Sequence, residues 1–223
     1  MTEEEKTEIP VLYRGGGIVI CQKPIGVLSQ SGKGEDIPLP ELLRREFGGK
    51  APAVITRLDR GVGGACVLAS PEKAAAMTAL LQDHERFSKE YLAIAPYREG
   101  EIESEGRMVD LLYHDPVKNK TFPVKKMRRG VKEAILTYRL LAAREGFGLF
   151  SVRLYTGRTH QIRVQFASRR MPLFGDGKYG SVHKGNIALF AHRVSFPQGG
   201  GRVEAEVAPP LHLAPWDLFG DLL

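Results

Sequence analysis

VITRLDRGVGGACVLAS, residues 54–70, opens on an apolar run and closes on another. Between the runs stand a single carboxylate, Asp59, arginines at 57 and 60, and a cluster of glycines. The closing run, GGACVLAS (63–70), is short and apolar, as a buried strand is. Two readings fit a lone carboxylate set between two guanidinium groups at a strand end. One is a structural ion pair at a turn. The other is a nucleophile kept ionised beside groups that recognise an anionic substrate. The stretch by itself leaves both open.

Working outward, Ser70-Pro71-Glu72 supplies an N-cap, a proline for the first helical position and an acid for the first turn. The helix that follows carries Met77, Leu80, Leu81 and His84 on one face. Upstream, GIVICQKP (17–24) reads as a buried strand ending at Pro24, and LPELLRREFGG (39–49) as a helix stopped by a glycine pair. Downstream, KEYLAIAP (89–96), VKEAILTYRLLA (131–142) and LFSVRLYTG (149–157) read as strands. RTHQIRVQFASRR (158–170) has a helical pattern with Ile162 and Phe166 on one face. RVEAEVAP (202–209) alternates strictly, Val203, Ala205 and Val207 facing one way, and PQGGG makes IALFAHRVSF (187–196) its hairpin partner. Strands come in runs rather than in strand–helix alternation. This predicts an α+β fold, a mixed and largely antiparallel sheet with flanking helices. No linker or internal repeat interrupts the chain. The expected organisation is a tail over 1–10 and one domain over 11–223.

The chain has 223 residues, of which 43% are hydrophobic and 26% charged, with a formal net charge of +6. That balance belongs to a globular protein with an anionic partner such as RNA, DNA or a phosphorylated metabolite. The acidic start MTEEEKTEIP is no signal peptide, and no apolar run is long enough to span a bilayer. Cys21 and Cys66 lie in apolar runs far apart, as small buried thiols in a reducing compartment do. The expectation is a soluble, cytoplasmic monomer with no disulfide and no obligate protein partner.

Several motifs are set aside. GDGKYG (175–180) matches G-x-G-x-x-G, but RRMPLF before it is no buried strand and SVHKGN after it starts no helix. The nicotinamide- or flavin-dependent oxidoreductase it would imply is not supported. The triple glycines at 15–17 and 199–201 read as hairpin turns. The six histidines show no metal-ligand spacing, and no G-x-S-x-G elbow is present. KNKTFPVKKMRRGVK (118–132) is different: it holds seven Lys or Arg side chains and no acid, interleaved with Phe122, Val124 and Met127. It is either a solvated face or a ribbon laid along a nucleic-acid backbone.

RLDRGVGGACVLA (57–69), SKEYLAIA (88–95) and GRTHQIRVQFASRRMPLFGDGKYG (157–180) together resemble the RluA-type RNA pseudouridine synthases. That family shows H-R-L-D-x-x-T-S-G, then K-x-Y-x-A, then G-R-x-H-Q-I-R-x-H followed by P-x-x-G-D-x-x-Y-G. GGGIVICQKPIGVLSQ (15–30) and LFAHRVSFPQ (189–198) are similar to its opening and late strands. The chain departs from the pattern at Thr56 (family His), Val62-Gly63 (Thr-Ser), Gln165 (His) and Arg170 (Gly). The resemblance implies a catalytic domain without the N-terminal RNA-binding domain that many members carry. It implies isomerisation of specific uridines in rRNA or tRNA, with no cofactor and no metal. Asp59 is then the nucleophile, Arg163 the arginine that pairs with it, and Tyr91 the tyrosine set against the target base. Arg57, Arg60, Arg158 and Ile162 fall at the substrate, and Lys125, Lys126 and Arg128 in the basic run would grip phosphates. The departures around Asp59 leave a rival, a catalytically silent RNA-binding module of the same fold.

Overall fold

The computed structural model describes residues 8–32, 36–100 and 102–223. In chain order the strands are β1 (Val11–Gly15), β2 (Ile18–Lys23), β3 (Ala53–Val54), β4 (Gly63–Ala69), β5 (Ser88–Pro96) and β6 (Glu105–Asp115). They continue with β7 (Lys120–Val124), β8 (Val131–Arg144), β9 (Phe147–Leu154), β10 (Leu189–Gln198) and β11 (Gly201–Glu206). The helices are α1 (Leu39–Leu42), α2 (Pro71–Leu81) and α3 (Gln161–Ala167). The expected α+β class holds, and the strand pairs within each compact unit are antiparallel. The contacts divide the chain into two such units, Met1–Phe87 with Arg193–Val207 and Ser88–His192 with Ala208–Leu223. Of the tail expected at 1–10, residues 1–7 lie outside the described residues. Ile9 is buried, and the Pro10 carbonyl accepts the Gln22 N–H at 2.9 Å.

In the first unit, β1 and β2 form a hairpin through Gly16 and Gly17, both at positive φ, and β4 pairs with β2 on one side and carries β3. Every residue of β4 is buried, as its continuous apolar run demands of a strand covered on both faces. Ile18, Ile20, Val67 and Ala69 join Met77 of α2 and Val194, Phe196 and Ala205 of the β10–β11 hairpin in one core. Val203 and Val207 pack against that core beside Ala205, as their alternation predicts. Cys21 and Cys66 stand opposite each other across β2 and β4, both free and buried. The helix expected over 39–49 is instead α1 followed by a 3-10 turn at Arg44–Phe47, closed by Gly48 in the left-handed region. Ser70 takes the N-cap position of α2 but makes no side-chain capping bond.

In the second unit the strand order is β5-β9-β8-β6-β7. β6 is not evident from the sequence, because its two buried residues, Met108 and Leu112, stand four apart rather than in alternation. α3 seats Phe166 against Phe150 and Tyr138, with ring centroids 5.4 Å and 6.1 Å apart. Gly175 is required by close approach: a Cβ there would fall 2.1 Å from the Asn186 carbonyl oxygen. No helix among the described residues is long and apolar enough to cross a membrane.

The helix expected over 158–170 is shorter at both ends. His160 adopts φ 55, which no helix continues, so α3 begins at Gln161. At the other end Arg170 takes φ 64, while Met171 N–H donates to Phe166 O at 3.1 Å and Arg170 N–H to Ala167 O at 3.0 Å. This is a Schellman motif with arginine where glycine is usual. It gives a structural reason for the glycine found there in the resembling family. Arg170 is exposed, so Arg170→Gly should relieve left-handed strain at little cost in packing and raise stability by about 0.5–1 kcal/mol. Urea unfolding of the two proteins checks this.

Candidate active site

The segment Thr56–Arg60 is fixed at alternate residues. The Thr56 hydroxyl accepts the Val67 N–H of β4 at 2.8 Å, and the Thr56 carbonyl accepts the Cys66 thiol at 2.8 Å. Leu58 is held through its peptide: its N–H donates to Ser29 Oγ at 3.0 Å, and that hydroxyl donates to the Leu58 carbonyl at 2.7 Å. Arg60 donates to Gly26 O at 3.1 Å and forms an ion pair with Asp36 at 3.0 Å. Thr56 and Leu58 are buried, Arg57 is exposed, and Asp59 is half-buried. Of the two guanidinium groups that flank Asp59, Arg60 pairs with Asp36, and Arg57 has no ion-pair partner among the described residues.

Lys23, at the end of β2, is 0% exposed. Its ammonium donates to Pro24 O at 2.8 Å and Val27 O at 2.7 Å, holding the Lys-Pro turn. Burial pulls its pKa down to about 8, while Cys66 and Asp59 favour its charged form. Asp59 therefore lies in the field of a buried cation that sequence reasoning misses. A lysine at a strand end reads as solvated, and only the Lys-Pro turn points to it.

In the second unit Tyr91 is buried in β5 opposite Val152 of β9. Arg163 sits in the middle of α3 and grips Asp176 through two bonds of 2.7 and 2.8 Å; the pair is 6% and 1% exposed. The Tyr179 ring lies under the Arg163 guanidinium at 5.2 Å. Its hydroxyl takes the Thr121 N–H of β7 at 2.9 Å and meets His160 Nδ1 at 2.9 Å. Burial raises the Tyr179 pKa, so the phenol stays neutral. The Lys120 ammonium stands over the same ring at 5.3 Å. Asp176 and Tyr179 come from GDGKYG, which forms a 3-10 turn and no nucleotide loop. Both fall in the P-x-x-G-D-x-x-Y-G part of the resembling block, but the sequence does not say that they pack on Arg163.

Of the other expected residues, Ile162 is buried, and Arg158 donates to Glu133 O at 2.8 Å. Lys125 and Lys126 are exposed on the turn after β7, and Arg128 stacks over Tyr113 at 5.2 Å. Among the described residues no group of His, Cys, Asp or Glu side chains could hold a metal ion.

Residues 17–168 match the family model described as RNA pseudouridylate synthase. The chain belongs to the RNA pseudouridylate synthase family. Relatives include ribosomal large subunit pseudouridine synthase D of Zymomonas mobilis, 27% identical over 84% of this chain and 61% of that protein. The protein of the same name in Borreliella burgdorferi is 29% identical over 86% of this chain and 62% of its own length. The chain thus spans about three fifths of these relatives (61% and 62%). The fold is that of human RNA pseudouridylate synthase domain containing 1, with a TM-score of 0.74 at 22% identity, covering 98% of this chain and 90% of that one.

The departures from the pseudouridine synthase pattern are satisfied only in part: Arg170 is held in the left-handed region, and Gln165 Oε1 is buried without a hydrogen-bond partner among the described residues. Thr56 keeps a side-chain acceptor for β4. Gln165 is buried and donates to Asp110 at 2.7 Å, and Asp110 also pairs with Arg169 at 2.9 Å. Val62 is buried, and its N–H closes a turn onto the Asp59 carbonyl at 3.0 Å. The most exacting demand is the buried Arg163–Asp176 pair, since removing Asp176 takes away the carboxylate that meets the buried guanidinium through two bonds. Asp176→Ala should cost about 3–5 kcal/mol in urea unfolding. A loss below about 1 kcal/mol would mean that Arg163 does not depend on Asp176.

Proposed function

We propose that the chain converts uridine in RNA to pseudouridine, with Asp59 as the nucleophile and no cofactor. The observation that carries this reading is the anchoring of Thr56 and Leu58 on either side of Arg57 and of Arg60 beyond Asp59, which leaves a carboxylate on a rigid, partly open segment. The Asp59 carboxylate attacks the ribose at C1′ as the C1′–N1 bond breaks. The freed uracil turns, C5 bonds to C1′ as the carboxylate leaves, the C5 proton is lost to a base, and N1 takes up a proton. Nothing is oxidised and no atom is gained, so the balance needs no co-reactant. Arg163, fixed by Asp176, is a permanently charged guanidinium at the position of the arginine in the resembling family's pattern. Tyr91 is set against the target base, and Arg57 offsets the few kcal/mol that flipping the base out of its stack costs.

Ribosomal RNA is the substrate this reading favours over tRNA, in line with the printed names of the bacterial relatives. A cytoplasmic, monomeric protein acting on folded RNA through shape and phosphate contacts fits the two free, buried cysteines and the basic ribbon after β7. RNA tritiated at uridine C5 should release label to water with the natural protein and not with Asp59→Asn. Release by both would end the nucleophile assignment. Binding of RNA without release from any cellular RNA pool would leave a silent binding module. If Lys125 and Lys126 lie on phosphates, replacing both with glutamine should flatten the salt dependence of log K by about 0.7–0.9 for each phosphate no longer neutralised. An unchanged slope would leave that run a solvated face.

A further inference from the structure

Three lysine or arginine side chains are buried among the described residues: Lys23, Lys89 and Arg163. A buried cation is retained only where something satisfies it. Lys23 has two carbonyls and Arg163 has Asp176. Lys89 is 9% exposed and has no hydrogen-bond or ion-pair partner among the described residues. It lies two residues before Tyr91 on the same buried face of β5. Its ammonium lies beside Gly157. A Cβ built on Gly157 would stand 3.6 Å from Lys89 Nζ and meet no other atom within 4 Å beyond its chain neighbours. Gly157 itself is exposed, and it leads through Arg158 into α3 and Arg163. The fold thus leaves an open volume, reached from solvent, bordered by an ammonium that lacks an acceptor among the described residues.

We propose that Lys89 and the space over Gly157 form a subsite for a backbone phosphate of the RNA beside the target nucleotide. This rests on the RNA-modifying reading above and adds a contact to it. A lysine ammonium is a compact point charge with three donors, suited to a single phosphate oxygen. A charged acceptor returns more of the desolvation cost of a buried cation than a neutral uracil carbonyl can. Among the described residues no charged side chain perturbs Lys89. Burial alone draws its pKa down to about 8, so the amine is still mostly protonated near neutral pH. The sign of the pH effect follows. In the free protein the depressed value costs stability below pH 8, and that cost disappears as pH rises toward the ordinary lysine value of 10.5. RNA binding needs the protonated form and runs the opposite way.

Lys89→Met has nearly the same length and no charge, and it separates these effects. Thermal unfolding without RNA should show unchanged or higher stability, since an unpaired buried charge is gone. Binding of in vitro transcribed large-subunit ribosomal RNA should weaken by about tenfold, the loss of one charge-assisted bond. The slope of log K against log salt should fall by about 0.7–0.9, one phosphate's worth. Gly157→Ala, at a position with no left-handed φ, fills the space while keeping Lys89 and should weaken binding in the same way. Affinity and slope equal to the natural protein in both variants would overturn the subsite. Weaker binding with an unchanged slope would overturn the phosphate and assign the acceptor to a neutral group. These readouts need no turnover, so absence of tritium release would refute the enzyme reading and leave the subsite separately decided.

Discussion

A carboxylate can act as a nucleophile only if the backbone that carries it does not yield. The segment around Asp59 meets that demand by anchoring alternate residues. Thr56 is tied to β4 through its hydroxyl and its carbonyl, and Leu58 is tied through both ends of its peptide to one serine. Between these anchors Arg57 is exposed, and beyond Leu58 Asp59 is half-buried. Each anchor is a hydrogen bond worth about 1 kcal/mol, yet losing one would also leave a buried donor or acceptor unsatisfied. This asymmetry keeps a short irregular segment as fixed as the strands beside it.

α3 extends the same principle to side chains. Gln161 through Phe166 are all buried, although alternate members are polar or charged. A helix so enclosed needs partners for its polar groups. Gln161 accepts from the Thr156 hydroxyl at 2.7 Å and the Arg158 N–H at 3.0 Å and donates to Ile135 O at 3.1 Å. Arg163 has Asp176, and Gln165 has Asp110 for its amide N–H, while its Oε1 is the one orphaned acceptor of this helix among the described residues. The helix is short because its two ends are set by left-handed residues, His160 and Arg170, and not by its apolar pattern.

The strands built on continuous apolar runs or strict alternation, β2, β4, β5 and β8 to β11, are legible because burial on one or both faces writes itself into residue order. β6 is not, since its neighbours bury only part of one face. Asp59, Tyr91 and Arg163 are marked by a resemblance to known sequences; composition or periodicity would not single them out. Lys23, Lys89 and Asp176 also fall in the resembling segments, but the resemblance assigns them no role. Their significance lies in burial and in who faces whom, and a lysine next to a proline or a glutamate looks like any solvated lysine until the fold encloses it. Arg60 shows the converse: a guanidinium beside a candidate nucleophile, already occupied by Gly26 and Asp36.

The first compact unit is assembled from two stretches of chain separated by more than a hundred residues. Phe87 at the end of the first stretch stacks on Phe196 in the second at 5.2 Å, and Val194 and Ala205 complete the same core. A ribosome releases Ile18, Val67 and Met77 well before those late partners exist. Until the closing hairpin emerges, the early stretch lacks Val194, Phe196 and Ala205 to seal its apolar face. The intervening stretch holds its own five-stranded order, and its unit is completed by Ala208–Leu223, which follows the closing hairpin.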